Sequence, residues 1–284
     1  MNTIAHRFFK IAGQDKTTIV SAVVLCLWVI IALLPLIFPK LSNIPIQLSE
    51  RLQTPSSQYF LGADGNGQSV GLLIMNGAST SLIVSLFTVS ASLLIGIPLG
   101  AMAGFFGKKV DVLISRVIDI LLAFPPMILP IAIMAFFGGG LINVVIALSI
   151  TGWVSYARVI RGQFLSFKER EFVVAAQSLG ASNSRIMFKH IFPNILSPLA
   201  VQITFSLAGV IIAEAGLSFL GLGVSQAHVS WGGLLNSARD YLTTNPTLAF
   251  FPAFALFSIV ASLNFVGEAL RLTLDPKSFG AGRI

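Results

Sequence analysis

Apolar residues gather in six runs, each close to the roughly 20 residues that a helix needs to cross a bilayer core, at 17–38, 78–105, 110–137, 141–162, 194–217 and 247–272. Polar or Gly-rich sequence separates them. The uncharged stretch between Asp119 and Arg158 is too long for one helix. Gly138, Gly139 and Gly140 divide it, because consecutive glycines are costly within a helix and cheap in a turn. Pro125, Pro126 and Pro130 predict a kink in the helix before that turn. The pattern as a whole predicts an all-α membrane protein with six transmembrane helices.

Composition points the same way. The chain is 55% hydrophobic and only 10% charged, with a mean hydropathy of +0.87, which excludes an ordinary soluble domain. A pI near 9.9 would suit nucleic acid if the cations were clustered on one soluble face, but they are sorted by loop. With a cytoplasmic amino terminus, 15 of the 18 Lys and Arg residues fall in inner segments, and only Lys40, Arg51 and Arg239 fall outside. That bias is the positive-inside rule, and it predicts two cytoplasmic termini and no nucleic-acid partner.

The resulting organisation is a cytoplasmic segment 1–16, a first transmembrane helix 17–38, an outer segment 39–77, a core 78–277 with five more helices, and a cytoplasmic tail 278–284. Residues 17–38 are read as a membrane helix, since the run is too long for a cleaved leader and no small-x-small site follows it. The single cysteine, Cys26, permits no intrachain disulfide, and His6, His190 and His228 are scattered over different loops. Neither feature predicts a metal or other cofactor. No GxxxxGK[ST] sequence is present to cradle ATP phosphates, and no HExxH sequence to support metal-dependent hydrolysis. The chain is therefore read as a transport subunit and not as an enzyme.

Six charges gather in the inner loop at about 163–193, around "FKEREFVVAAQSLGASNSRIMFKHIFPN". Helix formers lead to Gly180, which is placed to end a helix. Ser182 is placed to cap a second helix, and Pro193 marks the start of the next span. Ala175, Ala176 and Gly180 offer a smooth flank ringed by Glu169, Arg170, Glu171, Arg185 and Lys189, the anatomy of a protein contact. A positive loop folded against its own helix ends is the other reading of these residues.

The spacing of Ala175, Ala176, Gly180 and Pro193 resembles the EAA motif of ABC importer permeases, in which Pro follows Gly by thirteen residues. Val174 stands where the motif has glutamate and Phe192 where it has leucine, while Glu171 lies one turn away from Val174. "YFLGADGNGQSVGLLIMNGASTSL", "SYARVIRGQFLSFKEREFVVAA", "AEAGLSFLGLGVSQAHVSWG" and "GEALRLTLDPK" are similar to stretches of the dipeptide, oligopeptide and nickel branch, in the same order. Ala63, Gln68 and Ser69 replace a threonine and a charged pair of that branch.

The resemblance implies a type I ABC importer permease fold in the bacterial inner membrane, as the second permease of its pair. It implies a homologous permease partner, two ABC ATPase subunits that bind ATP and Mg, and a solute-binding protein that delivers short peptides, or nickel or a metal chelate. Glu171, Ala175, Ala176, Gly180, Arg185 and Pro193 would then couple to the ATPase. Ionisable groups within the spans are functional candidates in their own right: Glu214 and Asp119 are candidates to line the pathway or fasten helices, and Asp119 with Arg116, and Glu268 with Arg271, also read as ion pairs at the interface. An ion-gradient transporter is the rival class, and acids at the bilayer midplane would favour it.

Overall fold

The computed structural model describes residues 16–224 and 228–274. The expected inner tail 278–284, and all of segment 1–16 except Lys16, lie outside the described residues. Nine helices carry the fold among the described residues: α1 (Lys16–Ile37), α2 (Val70–Phe106), α3 (Lys108–Leu122), α4 (Ile128–Phe137), α5 (Leu141–Lys168), α6 (Glu171–Ser178), α7 (Asn183–Phe219), α8 (Trp231–Ala238) and α9 (Thr247–Leu274). Five of them, α1, α2, α5, α7 and α9, are long and apolar enough to cross a membrane.

The expected third span is two helices. α3 ends at Leu122 and α4 begins at Ile128, with Pro125 and Pro126 in the break. Neither proline can donate a backbone hydrogen bond, and each disfavours helix in the residue before it, so two in sequence interrupt the ladder instead of bending it. The glycine turn is where the sequence places it. Gly138 adopts φ +80°, and the Asn143 side chain donates to the carbonyls of Phe137 and Gly138 at 3.1 and 3.0 Å.

Two helices outrun their predicted spans. α2 starts at Val70, eight residues before the predicted position, because Val70, Leu73, Ile74 and Gly77 are buried and the Trp231 indole donates to the Ile74 carbonyl at 3.0 Å. With 37 residues at about 1.5 Å each it is about 55 Å long, well beyond the ~30 Å hydrocarbon core. α5 continues to Lys168, and the Lys168 ammonium donates to the carbonyl of Phe105 at 2.7 Å, fixing its inner end to the α2–α3 corner.

α2 and α5 form the tightest helix pair. Gly96, Gly100 and Gly104 recur every fourth residue on α2, and a Cβ at these positions would lie 2.7, 2.5 and 2.6 Å from Trp153, Ala157 and Phe164 respectively. Small residues at this spacing let helix backbones approach closely in lipid, where packing and not water exclusion drives association. Around this seam Phe105, Ile160, Phe164, Val173, Ile186, Ile191 and Ile195 form an inner core. A separate outer core gathers Trp231 with residues of α1, α2, α7 and α9.

The segment between α1 and α2 folds onto itself through Asp64 and through Gln68, one of the residues that depart from the branch pattern. Gln68 donates to the Ile44 carbonyl at 2.8 Å, and Asp64 accepts from the backbone of Asn66 and Gln68 at 2.9 and 2.8 Å. Nearby the Tyr59 hydroxyl donates to the Glu50 carboxylate, and that hydrogen bond raises the phenol pKa above its ordinary value.

Candidate functional site

The loop at 163–193 is a short helix sewn into the inner core along one side. α5 ends at Lys168, the backbone turns at Glu169 and Arg170, and α6 runs from Glu171 to Ser178. Val173 and Ala176, one turn apart, point inward and are buried. α6 closes on Gly180 at φ +78°, with Gly180 N–H bonded to the Gln177 carbonyl and Ala181 N–H to the Ala176 carbonyl, at 2.9 and 3.0 Å. This pair of bonds is the Schellman ending, and the left-handed residue it requires is cheapest as glycine. Ser182 then accepts from the Arg185 backbone at 3.4 Å and starts α7.

Pro193 does not interrupt that helix. A π-turn over Ile186–Ile191 precedes it, with Phe192 N–H reaching back to the Met187 carbonyl, and the Asn194 side chain donates to the His190 carbonyl at 2.6 Å. The wider turn and the side-chain donor absorb the hydrogen bond that proline removes. α7 is therefore continuous from the end of the loop through its whole span.

Five of the six coupling candidates remain on the surface: Glu171, Ala175, Gly180, Arg185 and Pro193 are exposed. Ala176 differs from them, because it is buried at 9% exposure on the same side of α6 as Val173 and not on its free side. The sequence reading also missed the large apolar groups on the free side. Leu179 is 88% and Phe188 70% exposed, and Phe172 and Val174 are half exposed beside them. Glu171 and Val174, one turn apart, share that side.

Glu214 is fully buried near the outer end of α7. Its carboxylate accepts from Ser218 at 2.7 Å and lies 3.5 Å from the Ser81 hydroxyl of α2. Asp119 is exposed on α3. Among the described residues the ion pairs are Arg271–Glu268 at 3.4 Å, as the spacing predicts, and Arg161–Asp111, which replaces the expected Asp119–Arg116 pair. Arg161 Nε and Nη2 contact the two Asp111 carboxylate oxygens at 2.5 and 2.7 Å, tying α5 to α3. Arg161 and Asp111 face each other across a helix interface that sequence spacing cannot show.

A cavity of about 440 Å³ lies between the α3–α4 break, α5, α7 and the middle of α2. Its wall is mostly apolar but carries the hydroxyls of Ser92, Thr151, Ser155, Tyr156 and Ser206, together with Arg158. Among the described residues no group of three His, Cys, Asp or Glu side chains is placed to hold a metal ion.

Residues 96–279 match the family described as binding-protein-dependent transport system inner membrane component. The chain is 38% identical to the dipeptide transport system permease protein of Alkalihalophilus pseudofirmus, over 95% of this chain and 88% of that one. It is 35% identical to the oligopeptide transport system permease protein of Bacillus subtilis, over 93% and 87%, and 37% identical to the nickel transport system permease protein of Escherichia coli, over 81% and 83%. In fold it is similar to a chain of the inward-facing MetNI methionine ABC transporter, with a TM-score of 0.60 at 20% identity, covering 71% of this chain and 96% of that one. The inner-membrane family, the relatives named as permeases and the shared fold agree with the helical architecture above, and this chain belongs to the binding-protein-dependent transport system inner membrane components.

Proposed function

We propose that the chain is one permease subunit of an ATP-driven importer of short peptides. A second homologous permease completes the pathway, two ATPase subunits sit on the cytoplasmic side, and a solute-binding protein delivers cargo outside. α3 and α4 together make the sixth crossing, and both termini are cytoplasmic. ATP and Mg belong to the ATPase, so this chain supplies geometry and its partner supplies free energy.

The observation that carries this reading is the two-sidedness of α6. Val173 locks one side into the core with Ile186 and Ile191 and Ala176 is buried beside it, while Leu179, Phe172, Val174, Ala175 and Glu171 are exposed. Large exposed apolar side chains set among charged neighbours suit a protein partner. Because α6 is held by its inner side and joined to α5 and α7 at its ends, force applied to the free side moves those helices with it. Arg161 and Lys168 extend that movement to α3 and to the α2–α3 corner. An ATPase that closes on ATP would thereby exchange inward-open and outward-open shapes of the pathway. The relatives named for dipeptides and oligopeptides support peptides as cargo, and the one named for nickel supports the second reading.

The test is recovery of the assembled complex from host membranes through a tag on this chain, followed by uptake of labelled dipeptide and of nickel into vesicles. Stoichiometric ATPase and a second permease should co-purify, and uptake should require internal ATP. Uptake that persists without ATP and collapses with an ionophore would instead establish an ion-gradient transporter.

A further inference from the structure

We infer that the cavity between the α3–α4 break, α5 and α7 is a holding site for cargo with a free carboxylate, with Arg158 receiving that carboxylate and Ser92, Tyr156 and Ser206 receiving its neighbouring polar groups. The inference rests on the permease reading and gives that pathway a chemical preference.

Four observations lead to it. First, the volume of about 440 Å³ lies within the ~300–1,000 Å³ typical of small-molecule sites. Second, the wall is broken backbone on one side: Phe124, Pro125 and Pro126 line the cavity where α3 gives way to α4. Irregular backbone at membrane depth persists only where protein buries it or where it borders a polar cavity, and transporters use such interrupted helices at cargo sites.

Third, the Ser92 hydroxyl is buried with no hydrogen-bond partner, the residue being 1% exposed, and the equally buried Tyr156 hydroxyl has Ser206 of the same wall as its neighbour. A buried hydroxyl left unpaired is costly, so Ser92 beside the cavity marks a place where pairing comes from an occupant. Fourth, Arg158 is the one charged group among the described residues of the wall, and it has no ion pair among them. Arg158 is exposed, so it stands at the open side of a mostly apolar wall without a counter-ion, where it is complementary to a carboxylate that it binds through two parallel N–H groups.

Gly209 supplies a clean way to close the site. A side chain added there would meet nothing within 4 Å and would extend into the cavity from α7. The experiment uses the complete transporter in proteoliposomes, with its binding protein loaded beforehand with either a labelled dipeptide or the same dipeptide as its C-terminal amide. Wild-type transporter should move the acid faster than the amide. Arg158→Gln should reduce acid transport roughly tenfold, the loss of one charge-assisted contact, and bring the two rates together, while Arg158→Lys restores part of the preference. Gly209→Leu should slow both cargoes with assembly and membrane level unchanged.

An acid-to-amide ratio that Arg158→Gln leaves unaltered, or full transport through Gly209→Leu, would overturn the site while leaving the permease reading intact. Failure of the wild-type transporter to move either peptide would remove peptide import and this site together. Poor assembly of Arg158→Gln is separated from loss of recognition by the Arg158→Lys and Gly209→Leu results, which decide the question without it.

Discussion

Arg161 and Asp111 grip each other across the α3–α5 interface, and the pair sits two turns before Lys168, which holds the Phe105 carbonyl. The helix that leads into α6 is thus fastened at two levels to the corner between α2 and α3. Both side chains of the pair are partly exposed, at 36% and 20%, so solvent screens it. A double-mutant cycle with Arg161→Gln and Asp111→Asn, read by thermal unfolding in detergent, should give a coupling on the order of 1 kcal/mol. Strict additivity of the two single effects would show that the pair is not formed in solution.

The glycine seam makes a sharper prediction. Gly100→Val places a branched side chain against the Ala157 backbone, since even a Cβ would lie 2.5 Å from its carbonyl oxygen. Overpacking of this kind costs about 1–3 kcal/mol, and more where backbone cannot move. Gly162→Ala is the control on the partner helix, where nothing lies within 4 Å, and it should stabilise by up to about 1 kcal/mol through helix propensity. Equal melting temperatures for these two variants would contradict the packing described.

Neighbouring alanines in α6 should behave oppositely. Ala175→Glu places a charge on the free side and is expected to leave the fold stable while abolishing ATPase association, measured by co-purification. Ala176→Glu forces a charge into the buried side of α6 that it shares with Val173, so it should lower the thermal midpoint and the membrane level as well. Leu179→Asp should resemble Ala175→Glu. Gly180→Ala should cost about 1 kcal/mol or somewhat more for its left-handed backbone, visible as a lower midpoint with the α6 surface intact.

Glu214 is predicted to fasten helices. Glu214→Gln keeps an oxygen that accepts from Ser218 and should change stability little. Glu214→Leu leaves the Ser218 and Ser81 hydroxyls without that acceptor, at about 1–3 kcal/mol for each buried group left unpaired. A stable Glu214→Leu variant with impaired transport would assign the residue to the pathway instead.

How much of this was legible in the sequence depended on the range of the interaction. Gly180 as a helix ending and Ser182 as a cap follow from local backbone chemistry, and both stand where the sequence puts them. The Gly96, Gly100 and Gly104 repeat was visible as small residues every fourth position in an apolar run, but hydropathy scores such a run only as one more span. Ala175 and Ala176 are identical in type and adjacent, and no local rule distinguishes the one that faces the core. The early start of α2 and the short α8 were hidden because Asn76, Ser79 and the glycines around Trp231 lower local hydropathy while packing against other helices.

Hydrophobic runs, Lys and Arg placement and turn residues determined by themselves that the chain is an all-helical membrane protein and where its inner loop would fold. These are properties of short stretches meeting lipid, water and their own backbone. The tertiary structure alone decided that the two prolines split the third apolar run into two helices, that Arg161 pairs with Asp111 and not Asp119 with Arg116, that Ala176 is buried, and that Arg158 and residues of five helices line one cavity. Each of those outcomes depends on residues tens of positions apart competing for the same space, and that competition is settled only when the helices pack.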